Sequence, residues 1–304
     1  MARQLILVWL SLLLAPAAYS ADSEIVIPKD SFFKTSFLSL REMVGLDRWP
    51  RTNVLRAAPC VDVINTQLLS QPDLINRQYQ TFGYAQRFTD GTWPGGEGRW
   101  DWSHVRKRVD GELHIRICVA PSTQAAYEYL IAHASNSNMP PEGIASFFGD
   151  SHRIAGLGTL GFGGASTKWA DARFVRDNIA VEIRGHGDLS GEVLPLARKI
   201  DAILLQQPAR SREELIARVP VVTISPDLKP GRHVAMYPPL TVSRPKGRRV
   251  INMRAFVDGQ TAAIRGGEIC LPTHGPGKTT VEVYAVTDEL LGSRESIELQ
   301  LPGQ

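Results

Sequence analysis

Thr167-Lys168-Trp169-Ala170-Asp171-Ala172-Arg173-Phe174, a turn at Arg176-Asp177-Asn178, a run from Asn178 to Arg184, and apolar residues at Val193, Leu196, Ala197, Ile200, Ile203 and Leu204: this succession decides the fold class. The two runs read as strands joined by a tight turn, and the last set has the three-and-four spacing that lays an apolar stripe along a helix. The same grammar precedes it. Residues 80–89, 99–109 and 112–120 are strand-like, the last two joined by Asp110-Gly111, a strong hairpin signal. Pro121-Ser122-Thr123 then opens a helix, with Ser122 as N-cap and Ala126, Tyr129, Leu130 and His133 on one face. Strand, strand, helix, strand, strand, helix is the order of an α+β domain. The expectation is an antiparallel sheet with helices packed on one face, spanning residues 21–210. Ahead of it, Phe33, Phe37, Leu40 and Val44 suggest a short helix ending at Gly45, while residues 51–80 are compatible with strand or helix.

Downstream the pattern changes. Ser211-Arg212-Glu213-Glu214 is a capping box, Pro220 closes the short helix it begins, and a domain boundary is expected there. From residue 221 on, short alternating runs are separated by Pro230-Gly231, Pro238-Pro239, Asp258-Gly259, Gly266-Gly267 and Gly275-Pro276-Gly277. Seven such runs predict a β-sandwich over residues 220–304. Val257-Asp258-Gly259 with Ala262-Ala263-Ile264, followed by residues 277–285 from Gly277 to Ala285, resembles a bacterial Ig-like module. A second, weaker resemblance covers residues 146–205. Phe148-Gly149-Asp150, the hairpin around Asp177 and the helix through Leu196-Ala197-Arg198-Lys199-Ile200-Asp201 are similar to extracellular sensor-like domains of bacterial Ser/Thr kinases and small secreted lipoproteins. That resemblance implies binding outside the cell rather than catalysis, and it transfers no catalytic residue.

The N-terminus indicates export. Arg3 precedes an apolar run from Leu5 to Ala15, Pro16 breaks it, and Ala18-Tyr19-Ser20 supplies the small residues a signal peptidase reads. Residues 1–20 therefore read as a signal peptide cleaved near Ser20. The run is too short for a membrane span and acidic Asp22 and Glu24 follow it, so no span is expected in the mature chain. With no Cys at the cleavage point a lipoprotein signal is absent. Localisation is then secreted or periplasmic. The 304 residues carry 34 Lys+Arg against 31 Asp+Glu and are 43% hydrophobic, which excludes a disordered or collagen-like chain. A net charge of +3 is too small to argue for nucleic acid as partner.

Cys60, Cys118 and Cys270 are odd in number and lack C-x-x-C spacing. Cys60 and Cys118 could form one disulfide, worth about 4 kcal/mol in the chain-entropy model. Three buried thiols are the equal alternative. The seven histidines show neither H-E-x-x-H nor a helical pair, so no metal site is expected, and no cofactor either. Gly156-Leu157-Gly158-Thr159-Leu160-Gly161 matches G-x-G-x-x-G, but a glycine loop and strand follow where a dinucleotide site needs a helix. Gly277-Lys278-Thr279 fails as a P-loop because residue 272 is Pro. Gly149-Asp150-Ser151 lies mid-chain without the Asp-x-x-His pair that accompanies the esterase motif it is similar to, so no catalytic residue is assigned.

The remaining candidates for ligand binding are Trp93 and Arg99, set around Pro94-Gly95-Gly96, together with Gly156, Gly158 and Gly161. Flat aromatic surface beside Arg suits interfaces and saccharide stacking. The expected function is a secreted, non-catalytic binding or interaction protein of the bacterial cell envelope or exterior. Its partner would be a glycan, a peptide or a protein. The competing expectation is a secreted hydrolase in which His152, Asp150 and His186 converge near the glycine loop.

Overall fold

The structure is a computed structural model that describes residues 40–60, 74–83, 97–106, 111–135, 140–166, 168–232, 234, 236–271 and 277–301. The expected signal peptide, Trp93 and the Asp110-Gly111 turn lie partly or wholly outside the described residues. The chain is mixed helix and strand, dominated by antiparallel sheets with few helices.

Six strands form the first sheet: β1 (Leu74–Gly83), β2 (Glu97–Arg106), β3 (Gly111–Val119), β4 (Leu160–Ala165), β5 (Trp169–Arg176) and β6 (Ile179–Gly187), in the order β1-β2-β3-β6-β5-β4. Every pairing is antiparallel. The turn that decides the fold is Asp177-Asn178, with Asp177 at φ 55°, a left-handed value that Asp and Asn tolerate better than other side chains. It joins β5 to β6 with Arg176 opposite Ile179.

Successive side chains on a strand point to opposite faces, and both faces of β3, β5 and β6 carry buried clusters. Ile115, Ile117, Ala172, Phe174, Ile179, Val181 and Ile183 pack with α3 (Val193–Gln206), through Val193, Leu196, Ala197, Ile200 and Leu204. Their neighbours Cys118, Val175 and Ala180 pack the other way. They meet α1 (Thr123–Ser135) and α2 (Pro141–Phe147), through Tyr127, Leu130, Ile131, Ile144 and Phe147. The expectation of helices on one face is thus corrected. The strands that read as half-polar are buried on both sides, because their charged residues pair with one another instead of facing water. A second correction concerns the glycine-rich stretch 160–165. It forms edge strand β4, since the β-ladder to β5 outweighs the weak strand preference of its glycines.

Local chemistry accounts for the element ends. Ser122 Oγ accepts from Ala125 N–H at the start of α1, as its N-cap position predicts. Ser211 and Glu214 exchange both capping-box bonds at the start of α4 (Arg212–Ile216). The segment 50–58 is strapped across the end of the sheet. Arg56 Nε donates to Asp177 at 2.5 Å and its Nη1 to the Gln207 carbonyl, while Asn178 donates to the carbonyls of Arg56 and Ala120.

The remaining strands make smaller antiparallel sheets. β7 (Val221–Ile224) pairs with β10 (Leu240–Ser243), and β8 (Lys229–Pro230) pairs with β9 (Met236–Tyr237). A four-stranded sheet runs in the order β12-β11-β15-β16, from β11 (Val250–Val257), β12 (Gln260–Ala262), β15 (Gly277–Thr287) and β16 (Gly292–Leu301). β13 (Ile264–Arg265) and β14 (Glu268–Ile269) form a short ribbon. Asp258-Gly259, both at positive φ, makes the two-residue loop between β11 and β12 that such a pair favours. Val222, Ile224, Ala255, Val257, Ile269, Val281, Val283, Ala285 and Leu299 share one apolar cluster, so the four-stranded sheet and the β7–β10 pair close on a common core.

The β15–β16 turn joins the two halves. Leu290 and Leu291 are buried in the core of the first sheet beside Ala57, Leu215 and Val219. Arg218 grips Glu289 bidentately at 2.5 and 2.7 Å, Arg248 adds a third contact to Glu289 at 3.1 Å, and Asp288 N–H donates to the Arg249 carbonyl.

Candidate functional site

The face of the first sheet toward α1 and α2 is apolar at one end and charged at the other. Cys118, Ala180, Val175 and Leu160 stand opposite one another across β3, β6, β5 and β4. One step along each strand of that face lie Arg116, Glu182, Arg173 and Phe162. A further step brings His114, Arg184, Asp171 and Gly164 into line, and the last brings His186 opposite Trp169. The strand period of two therefore builds four rows: an apolar row, an inner ion-paired row, a middle ion-paired row and an outer exposed row.

The two ion-paired rows are interlocked. Arg173, 1% exposed, holds Asp171 with Nη2 at 2.8 Å and Nε at 3.2 Å. Its Nη2 also lies 3.3 Å from Glu182. Glu182, equally buried, is shared with Arg116 at 3.3 Å and with Arg184 Nη2. Arg184 Nε stands 3.6 Å from Asp171, an ion-pair distance but too long for a hydrogen bond. Burial pushes the Asp171 carboxyl above the usual carboxylate range, against the lowering effect of Arg173. Burial acts to lower the Arg173 guanidinium, yet Glu182 and Asp171 outweigh it and its pKa is raised. Two donors in this cluster, Arg173 Nη1 and Arg184 Nε, meet no acceptor among the described residues. Such a group carries the full desolvation cost of an unmade bond.

Aromatic side chains frame the cluster. The Arg173 guanidinium lies over the Phe147 ring at 5.2 Å, and His152 stacks on the same ring at 5.7 Å. Phe147 and Trp169 both reach across β4 to the space above the Gly164 backbone. Trp169 is 43% exposed and the Arg184 side chain 29% exposed, whereas Glu182 and Arg173 are each 1% exposed.

The glycine candidates have local roles. Gly158 has φ +66°, its N–H donates to Asp201 Oδ2 at 2.9 Å, and an added Cβ would stand 2.5 Å from the Val175 carbonyl oxygen. Asp201 is in turn gripped by Arg176 through two bonds of 2.7 Å. Gly156 lies in the same turn, and Gly161 is on β4, its carbonyl accepting from Ile154 N–H. Arg99 is on β2 opposite Thr81. Trp93 lies outside the described residues.

His152 Nδ1 is 3.2 Å from the Gly163 carbonyl oxygen, Asp150 pairs with Arg153 at 2.8 Å, and His186 stands on β6, two strands from β4. Those three are not brought into one hydrogen-bonded group. Among the described residues no cluster of three or more His, Cys, Asp or Glu could hold a metal ion, and no helix is long and apolar enough to cross a membrane. Cys60 and Cys118, for which a shared disulfide is one of two readings, are not bridged to each other. Cys118 is buried on the α1 face of β3, whereas Cys60 Sγ lies 3.6 Å from Asp288 in the β15–β16 turn.

Sequence reasoning missed Arg116, Asp171, Arg173, Glu182 and Arg184. The signal was present: Asp171 with Arg173, and Glu182 with Arg184, stand two apart on strands whose other face carries no charge except Arg176 at the end of β5. The chain matches no family model, no curated protein and no solved structure.

Proposed function

We propose that the chain is an exported, non-catalytic binding protein of the bacterial cell envelope or exterior, delivered by a signal peptide over residues 1–20. On this reading it is secreted or periplasmic and works without cofactor. An α+β recognition domain, residues 21–210, is followed by an Ig-like sandwich, residues 220–304, which acts as spacer or second contact. The α+β part would bind outside the cell, as the sensor-like domains it resembles are implied to do.

The observation that carries this reading is the paired face of β5 and β6. It presents an exposed tryptophan and a half-exposed guanidinium above a buried, ion-paired floor. Such a floor holds Trp169 and Arg184 in position before a ligand arrives, which lowers the ordering cost of binding. Support against hydrolysis comes from His152 and Asp150, each engaged by a backbone carbonyl or an arginine rather than by the other.

The test is a thermal-shift screen of the purified chain against glycans, peptides, nucleotides and divalent metals. A ligand of the native state raises the melting temperature with occupancy. A glycan or peptide hit that disappears in Arg184→Gln supports the reading. A metal hit reversed by chelator, or turnover of any screened glycan or peptide, overturns it.

A further inference from the structure

We propose that the open end of the charged face binds a carboxylate-bearing saccharide, its sugar ring stacked on Trp169 and its carboxylate held by Arg184. The inference rests on the binding reading above and names the chemistry of the ligand. Trp169 and His186 form the outermost row, directly opposite each other, and Arg184 is two residues in from His186 on the same face of β6. Trp169 leaves a flat, 43% exposed surface one diagonal position from Arg184 across β5 and β6, and a hydroxylated ring with a charged substituent needs both.

The donors favour an anion. Arg184 Nε and Arg173 Nη1 meet no acceptor among the described residues, although both atoms are buried and Arg173 is 1% exposed. The two carboxylates nearby are already divided, Asp171 between two guanidiniums and Glu182 among three. Arg184 is the member of the cluster that borders the exposed row, and at 29% its side chain is the most exposed of the three guanidiniums. Carboxylate and guanidinium match geometrically, and a bond to an ionised acceptor is about twice as strong as a neutral one. A neutral saccharide would stack equally well on Trp169 but leave Arg184 as it is. Charge is therefore the discriminating feature.

Calorimetric titration of the purified chain with trigalacturonate, with its full methyl ester and with sodium sulfate tests this. Trigalacturonate should bind at least tenfold more tightly than the ester, and Arg184→Gln and Trp169→Ala should each weaken it at least tenfold. Trp169→Ala should keep the melting temperature within a few degrees, since its side chain reaches solvent; Arg184→Gln removes a partner of buried Glu182 and lowers it, so the titrations are run at a temperature where circular dichroism shows both variants folded. Equal binding of acid and ester sinks the inference but leaves the binding reading standing. Sulfate competing fully, with no effect of Trp169→Ala, means an adventitious ion only and also overturns it. No binding of trigalacturonate overturns it as well; if neutral glycans and peptides are then also silent, the binding reading fails with it. Cleavage of trigalacturonate, seen by mass spectrometry, overturns the non-catalytic reading instead.

Discussion

Asp171 shows how a single side chain here serves two ends. Its carboxylate is the clasp for Arg173, yet its burial raises its pKa, so ionising it within the fold costs more than in the unfolded chain. The folded state therefore holds the proton more tightly. Stability from this group is fully present below the ordinary carboxylate value, about 3.9, and is lost as pH rises through the raised folded value. Asp171→Asn removes the titration. The stability of the native chain minus that of the variant, from urea unfolding at a series of pH values, should fall with rising pH across that window, by up to about 1.4 kcal/mol per pH unit. A difference independent of pH would show that Asp171 titrates normally.

At the scale of the element, the turn between Arg153 and β4 shows why a motif of glycines need not be a ligand loop. Gly158 sits at positive φ against the Val175 carbonyl and donates to Asp201, which also anchors Arg176 at the end of β5. The turn is thereby pinned to α3. Gly156 has a similar φ of +72° but open space around it. Gly156→Ala should cost only the left-handed conformation, about 1 to 2 kcal/mol. Gly158→Ala adds a backbone clash and disturbs the Asp201 bond, and should cost at least about 1.5 kcal/mol more. Equal losses, read by chemical denaturation, would mean that close packing at Gly158 contributes nothing.

Over the whole molecule, the β15–β16 turn couples the two cores. Leu290 is held at φ 60°, a conformation costly for a branched apolar residue, and its side chain is buried in the core of the first sheet with Leu291. Glu289, gripped by Arg218 and Arg248, fixes the turn from its polar side. Leu291→Ala should destabilise the protein by about 2 to 5 kcal/mol through the lost burial and the cavity left behind. If the cores are coupled, calorimetry of the native chain shows one transition whose calorimetric and van't Hoff enthalpies agree. Two resolved transitions, with Leu291→Ala shifting neither, would show the halves to be independent.

What was legible in the residues is what depends on neighbours in the chain. The Asp177-Asn178 turn, the stripe of α3, the caps at Ser122 and Ser211 and the Asp258-Gly259 hairpin are all written within a few positions, and the structure forms each of them. Sheet order was not, because β3 pairs with β6 across the whole of α1, α2, β4 and β5. Nor was the second covered face. Arg173 and Glu182 look solvated when read along one strand; only the register that sets β3, β6 and β5 side by side supplies the partners that make their burial tolerable. The sequence by itself determined those turns, caps and the stripe of α3, through backbone preference and periodicity. Tertiary pairing alone decided where the charges meet, and with them the surface offered to a ligand, because an ion pair between distant residues exists only once the sheet has closed.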